Sequence, residues 1–288
     1  MLSGFHGHLV HEAKCPEISP LDCAETPIPD HTHDQRITFV NVQSSFLYRF
    51  DSPWQLFTTI PFLIRKQSIE YYLIETGEEY EPPYAGIHHR NETLSGLGDP
   101  ELLIQRFVHT EDFNVGFSMG STIPFGKTEE NPYALGAQSK VHQHFQMGTG
   151  SFVPVAELYL VYPKEGWGLL GQTRLMLPFY ENSKGYKIGN SYSFDLGYWA
   201  YVRSKVNMFA QIQYFHKEPD YWLDLPAPFS TKMSLEGVLA TRLRVRSNKE
   251  FLLSMQRSLI DWTPQEKDSQ DGESMPVYWV ISVGISFL

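Results

Sequence analysis

Histidine and cysteine gather at the start of this chain, where His6, His8, His11, Cys15, Cys23, His31 and His33 all fall within 28 residues of one another. Imidazole nitrogen and thiolate sulfur are donors that copper and zinc prefer, so the segment is a candidate site for either ion. The spacings match no standard zinc motif. In an exported protein the two cysteines, Cys15 and Cys23, are most simply a disulfide that closes a small loop. A second group, His142 and His144, lies close to Ser139 and Ser151, the residue types of a hydrolase in a barrel wall. No acid or amide stands at a recognisable offset, and no nucleophile-elbow pattern occurs, so no catalytic residue and no cofactor-binding residue is assigned. His88 and His89 read as loop residues.

Charged side chains form the third set. Arg49, Arg65, Arg174, Arg203, Arg242, Arg244 and Arg246 fall on the polar parity of alternating segments, as do Glu157, Asp195 and Glu236. Three arginines on one face, at 242, 244 and 246, are too costly to point at lipid, so that face must see water or counter-charges. These ten residues are therefore expected to line a lumen. Balanced charge braces a barrel, whereas a ring of like charge selects ions. Bracing is the plainer reading, and the local arginine excess leans toward anionic or polar solutes.

The elements that would position these groups are strands. Val40, Val42, Phe46 and Tyr48 alternate with Asn41, Gln43, Ser45 and Arg49, a period of two with one apolar face. The same alternation returns through Phe194, Leu196 and Tyr198 against Asp195 and Gly197, through Met208, Ala210 and Ile212 against Gln211 and Gln213, and through Trp279, Ile281, Val283 and Ile285 near the end. Aromatic residues are 14% of the chain and charged residues only 19%, which favours strands over helices. No apolar run is long enough for a spanning helix, but barrel strands need none. A soluble sandwich needs an apolar inner face, and here that face carries Gln, Asn, Ser, Arg and Asp.

Links between the alternating segments are short near 51–53, 109–112, 163–166, 204–205 and 247–248. They are long near 68–97, 125–143, 181–187, 217–231 and 263–275. Outer-membrane barrels have this rhythm of short periplasmic turns and longer external loops. The pattern predicts an all-β transmembrane antiparallel β-barrel over residues 37–288, preceded by an irregular extension over 1–36, in the bacterial outer membrane. Eleven strands are clear. Even numbers are the rule, so twelve are expected, the last supplied by the N-terminal region or by a merged segment. The first residues carry no secretory signal pattern, so such a signal is expected to have been removed. Trp54, Trp167, Tyr180, Trp222, Trp262 and Trp279 fit aromatic girdles at the membrane interfaces. A net charge of −10 argues against nucleic-acid binding.

Three short segments carry a further likeness: Gly96-Leu97-Gly98-Asp99-Pro100, Ile123-Pro124-Phe125-Gly126-Lys127-Thr128 and Gln146-Met147-Gly148-Thr149-Gly150-Ser151. Their order and spacing resemble the outer-membrane, transporter-like barrels of the phenol-degradation meta-pathway family, with Phe125 standing where that family usually has Thr. The resemblance implies a carrier of poorly soluble compounds and no chemical activity. The expected role is a channel for passive movement of small, poorly soluble molecules or metal ions, with the lipid bilayer and a small solute as its partners. One alternative is a structural barrel that docks a periplasmic or surface protein through residues 1–36, and another is a lipid-acting hydrolase. The glycines of these segments serve bends and close backbone approach, since no helix follows them to make a phosphate loop.

Overall fold

A strand that alternates polar and apolar side chains is stable in a membrane only if its backbone groups are all paired and its two faces meet different media. The computed structural model describes residues 1–13, 28–86, 91–138, 140–143, 145–227, 230–246, 248–262 and 279–287. The wall strands are β1 (Leu2–Ala13), β2 (His31–Arg49), β3 (Trp54–Leu73), the short β4 (Glu92–Leu97), β5 (Glu101–His109), β6 (Asn114–Thr122), β7 (Val153–Lys164) and β8 (Trp167–Met176). A two-residue β9 (Tyr186–Lys187) precedes β10 (Ser191–Arg203) and β11 (Val206–Lys217). Then come the two-residue β12 (Tyr221–Trp222) and β13 (Leu225–Pro226), followed by β14 (Lys232–Arg246), β15 (Lys249–Asp261) and β16 (Trp279–Phe287). One short helix, α1 (Pro132–Gly136), lies in the β6–β7 loop and is capped by Asn131.

Each wall strand pairs antiparallel with its neighbours, and β1 pairs with both β2 and β16, so the sheet closes on itself as a twelve-stranded barrel. Residues β4 and β5 count as one wall strand. They pair in series with the same edge of β3, Gln67 to Phe62 against Glu92 to Leu97 and Thr59 to Trp54 against Glu101 to Arg106. The missing twelfth strand is β1. Leu2–Ala13 and His31–Arg36 are thus not part of an irregular extension: Leu2–Ala13 bond to His31–Val42 along their whole length, as wall strands. The histidines and the glycines in β1 blur its apolar period, which is why the alternation was not visible there.

The outward face is apolar all round. Phe46, Phe62, Ile104, Met119, Leu158, Phe194, Leu196, Ile212, Leu239, Met255 and Ile281, drawn from ten strands, are all exposed. The inward parity instead holds buried polar groups, including Gln105, Ser118, Glu157, Asp195, Ser234 and Glu236. Exposed apolar and buried polar is the inverse of a water-soluble core, and it is the arrangement a lipid solvent selects. Turns of two to four residues join the strands at one end, and the long loops lie at the other. The 19 residues of β2 reach about 60 Å at about 3.3 Å per residue, against an apolar band about 25 Å tall. Its upper part, with that of β3, therefore stands clear of the membrane on the long-loop side.

Leu196 is 58% exposed at the middle of β10. Replacing it by Arg is expected to lower the folding free energy in lipid vesicles by about 2–4 kcal/mol, the cost of a guanidinium near the midplane. Urea titration of vesicle-inserted protein checks this, and an unchanged midpoint would place Leu196 away from lipid.

Candidate functional site

The interior is crossed by ion pairs. Arg174 on β8 donates to Glu157 on the adjacent β7 and to Glu101 on β5. Strands β5 and β8 are separated by β6 and β7, about 14 Å along the wall at about 4.8 Å per strand. Side chains so far apart on the sheet meet only by reaching across the concave face. Tyr159 adds a hydroxyl donor to Glu157. Farther round, Asp195, only 2% exposed, accepts from Gln211 at 2.6 Å and Gln213 at 2.7 Å. Glu236 accepts from Lys232 at 3.2 Å, from Ser234 at 2.9 Å and from Gln256.

Of the ten residues expected to line the lumen, Glu157, Arg174, Asp195 and Glu236 belong to these networks. Arg65 lies with its guanidinium 4.4 Å from the ring centroid of Phe39. Arg242 and Arg244 both face Glu250, at 3.5 and 3.4 Å. Arg49, Arg203 and Arg246 are exposed beside the short turns. Glu101 and Glu250 complete the pairing and were not legible as partners. Each opens a strand next to a break or turn, where parity has no run of residues to establish it. Glu250 thus answers Arg242 and Arg244 together.

The long loop between β6 and β7 is fastened over the external end. Asp99, at the break between β4 and β5, accepts from the Gly126 amide at 2.8 Å through one carboxylate oxygen. Through the other it accepts from the Thr149 amide at 2.6 Å and the Thr149 hydroxyl at 2.8 Å. The three glycine-rich segments of the sequence therefore meet at one carboxylate. Gly126 and Gly148 pack backbone to backbone: a Cβ on Gly148 would sit 2.6 Å from Gly126 Cα and strike Asp99. Gly150 has φ +68°, a conformation that side chains resist, and its carbonyl neighbour Thr149 accepts from Asn182 at 2.9 Å. Lys184 reaches Thr128 O at 2.7 Å, and Phe145 packs edge-on against Phe39 of β2 at 5.3 Å. The loop is thus held by β2, by the β4–β5 break and by the β8–β10 loop.

A third cluster lies at the top of β2 and β3. His31, with no exposed surface, and His33 sit on one face of β2 with Tyr71 of β3 and Tyr84 of the following loop. Burial pushes the Tyr84 hydroxyl up from its ordinary value, so it stays protonated and able to donate. Of the candidate metal ligands whose side chains are described, His6 and His8 do not converge with His31 and His33. Phe5 packs on Phe39, the face of His31 and His33, whereas His6 and His8 point the other way to Thr38 at 2.9 Å and Asp34 at 2.8 Å. The wall itself separates the two sets. Among the described residues no group of three His, Cys, Asp or Glu could hold a metal. Cys15 and Cys23, with the disulfide expected of them, lie outside the described residues, as do His88, His89, Ser139, His144 and the side chain of His11. Ser151 is buried within the loop anchor.

Trp167, Tyr180, Trp262 and Trp279 are exposed near strand ends as girdle residues would be. Trp222 is not one of them. It is 5% exposed and packs on Tyr186 at 4.9 Å inside the small sheet that β9, β12 and β13 form in the external loops.

No family model and no curated protein matches this sequence. Among solved structures, a COG4313 outer membrane channel from Pseudomonas putida F1 matches all of this chain and 94% of its own, with a TM-score of 0.56 at 10% identity. This chain is a β-barrel of the bacterial outer membrane. The likeness to the Pseudomonas channel is one of fold, and the apolar outer band with an even number of strands gives the location its physical ground. Looser likenesses include the NanC porin, TM-score 0.44 at 7% identity over 99% of both chains. Another is the TodX deltaS2S3 mutant monoaromatic hydrocarbon channel, TM-score 0.46 at 11% identity over 99% of this chain and 78% of that one.

Replacing Asp99 by Ala removes three charge-assisted bonds from the loop. At about 1.5–3 kcal/mol for a bond to a charged group, the Gly126 and Thr149 amides are expected to exchange with deuterium at least about tenfold faster. Hydrogen-exchange mass spectrometry over 123–152 reads this, and unchanged protection would show that Asp99 does not hold the loop.

Proposed function

We propose that this barrel is a passive channel for small, poorly soluble molecules, which enter from the external face beside the anchored β6–β7 loop. What supports the reading most directly is an apolar collar at the outer ends of β6, β7 and β8. Phe125, Phe152, Phe179 and Tyr180 are all exposed there, Phe179 at 75%. Phe125 and Phe152 flank the Asp99 anchor, and the Phe152 amide donates to the Tyr180 hydroxyl at 2.9 Å. Large apolar surface on external loops marks a place where apolar partners are met.

The resemblance to the phenol-degradation meta-pathway barrels supports the same class of solute. Its three quoted segments are far apart in the chain and form one hydrogen-bonded unit around Asp99, so they behave as a single feature rather than three glycine patterns. The solved channel of the same fold is a further support for transport over chemistry. The docking alternative needs residues 1–36 to be free, and Leu2–Ala13 are occupied in the wall.

The test is uptake of the apolar fluorescent dye 1-N-phenylnaphthylamine by cells whose outer membrane excludes it. Cells carrying this barrel are expected to take up the dye several-fold faster than empty-vector cells. Replacing Phe125 and Phe179 by Ser should reduce that gain while the barrel still folds. Uptake equal to the empty vector, with rapid swelling of reconstituted vesicles in sugars, would make it a channel for polar solutes instead.

A further inference from the structure

In the cluster at the top of β2 and β3 three side-chain polar atoms converge on one point. Nε2 of His31 and Nε2 of His33 lie 3.3 Å apart, and the Tyr84 hydroxyl lies 2.9 Å from the latter and within hydrogen-bond distance of the former. Nδ1 of His31 is 2.7 Å from the carbonyl of Pro29, which can only accept, so Nδ1 carries the proton and the Nε2 lone pair points to Tyr84. A histidine that donates Nδ1–H to a backbone carbonyl and presents Nε2 to a shared point is held as metal-ligating histidines are held. Neighbouring donors each about 2.0 Å from a tetragonal Cu²⁺ ion lie about 2.8 Å apart, close to the 2.9 Å between Tyr84 and His33, and the two imidazole nitrogens need close by only about 0.5 Å.

The approach to this point is acidic. Tyr71 and Tyr80, whose rings contact His33 and His31 at 5.0 and 5.2 Å, also line a cavity of about 670 Å³ in which Glu79 and Glu81 are exposed. Carboxylates at the entrance raise the local concentration of cations.

We propose that His31, His33 and Tyr84 form a binding site for Cu²⁺, reached through the cavity that Glu79 and Glu81 line. Copper is chosen because it binds nitrogen and oxygen donors most tightly among the first-row divalent ions. On binding, Cu²⁺ displaces the Tyr84 hydroxyl proton, which leaves through the cavity, and His33 binds as the tautomer whose Nε2 carries a lone pair, so that two nitrogen lone pairs and one phenolate oxygen face the ion. The site lies above the membrane on the external side, and it is separate from His6 and His8.

Full-length protein in detergent, stripped with chelator, is titrated with Cu²⁺ and followed by visible absorption and electron paramagnetic resonance. The expected result is one equivalent bound with nitrogen hyperfine structure and a phenolate-to-copper absorption band. Tyr84→Phe, which keeps the ring and its packing, should abolish the band and weaken binding at least about tenfold. A variant with Cys15→Ser, Cys23→Ser and His11→Ala should keep both. The proposal is overturned if wild-type protein gives no band, if Tyr84→Phe binds as tightly as wild type, or if the Cys15, Cys23 and His11 variant loses the band.

Discussion

Backbone amides cannot be left unpaired in hydrocarbon, where each costs several kcal/mol, and every other feature of this barrel answers to that constraint. It is why Leu2–Ala13 must join β16 to β2, for without that strand the sheet has two open edges in lipid. It also explains the treatment of the one interrupted wall strand. Where β4 gives way to β5, Gly98 keeps its amide paired with Pro61 O at 2.9 Å, and Asp99 turns its carboxylate to the loop above. The break in the wall thus carries the carboxylate that anchors the loop.

Closing the wall leaves an inner face that is neither lipid nor bulk water. Acidic groups buried there are stable because each meets a donor: Glu101 and Glu157 meet Arg174, Asp195 meets two glutamines, and Glu236 meets Lys232, Ser234 and Gln256. Removing one partner of such a network strands a charge, which costs more than the pair contributes. The wall is thereby tied together from β5 to β8 by Arg174, and between neighbouring strands at Asp195 and Glu236. Above it, the anchored loop and its aromatic neighbours stand at the external opening.

Much of the wall was legible in the sequence because a period of two survives in single strands such as 194–202, 208–214 and 279–287. The rhythm of short and long links gave the orientation. Strand β1 was not legible, because Gly4, His6 and His8 interrupt the face that Leu2 and Val10 would otherwise make apolar. The glycine segments could be recognised but not assembled. Nothing local to Asp99, Gly126 or Thr149 says that they touch, since the contact is made by loop closure across 27 and 50 residues. The same holds for Tyr84, which stands 53 residues from His31 and belongs to no spacing pattern. Local periodicity encodes faces, whereas sites that bridge loops need the fold.

The account stands on the alternation of faces around a closed wall, and an oxygen-accessibility scan of β11 tests it most directly. Single spin labels are placed at each position from 207 to 214, in protein lacking Cys15 and Cys23 and reconstituted in lipid. Collision with dissolved oxygen should peak at 208, 210, 212 and 214 and fall at the positions between, where a water-soluble relaxant gains relative access. Equal accessibility at both parities, or a period near three and a half residues, would contradict a barrel wall with lipid on one side and a polar interior on the other.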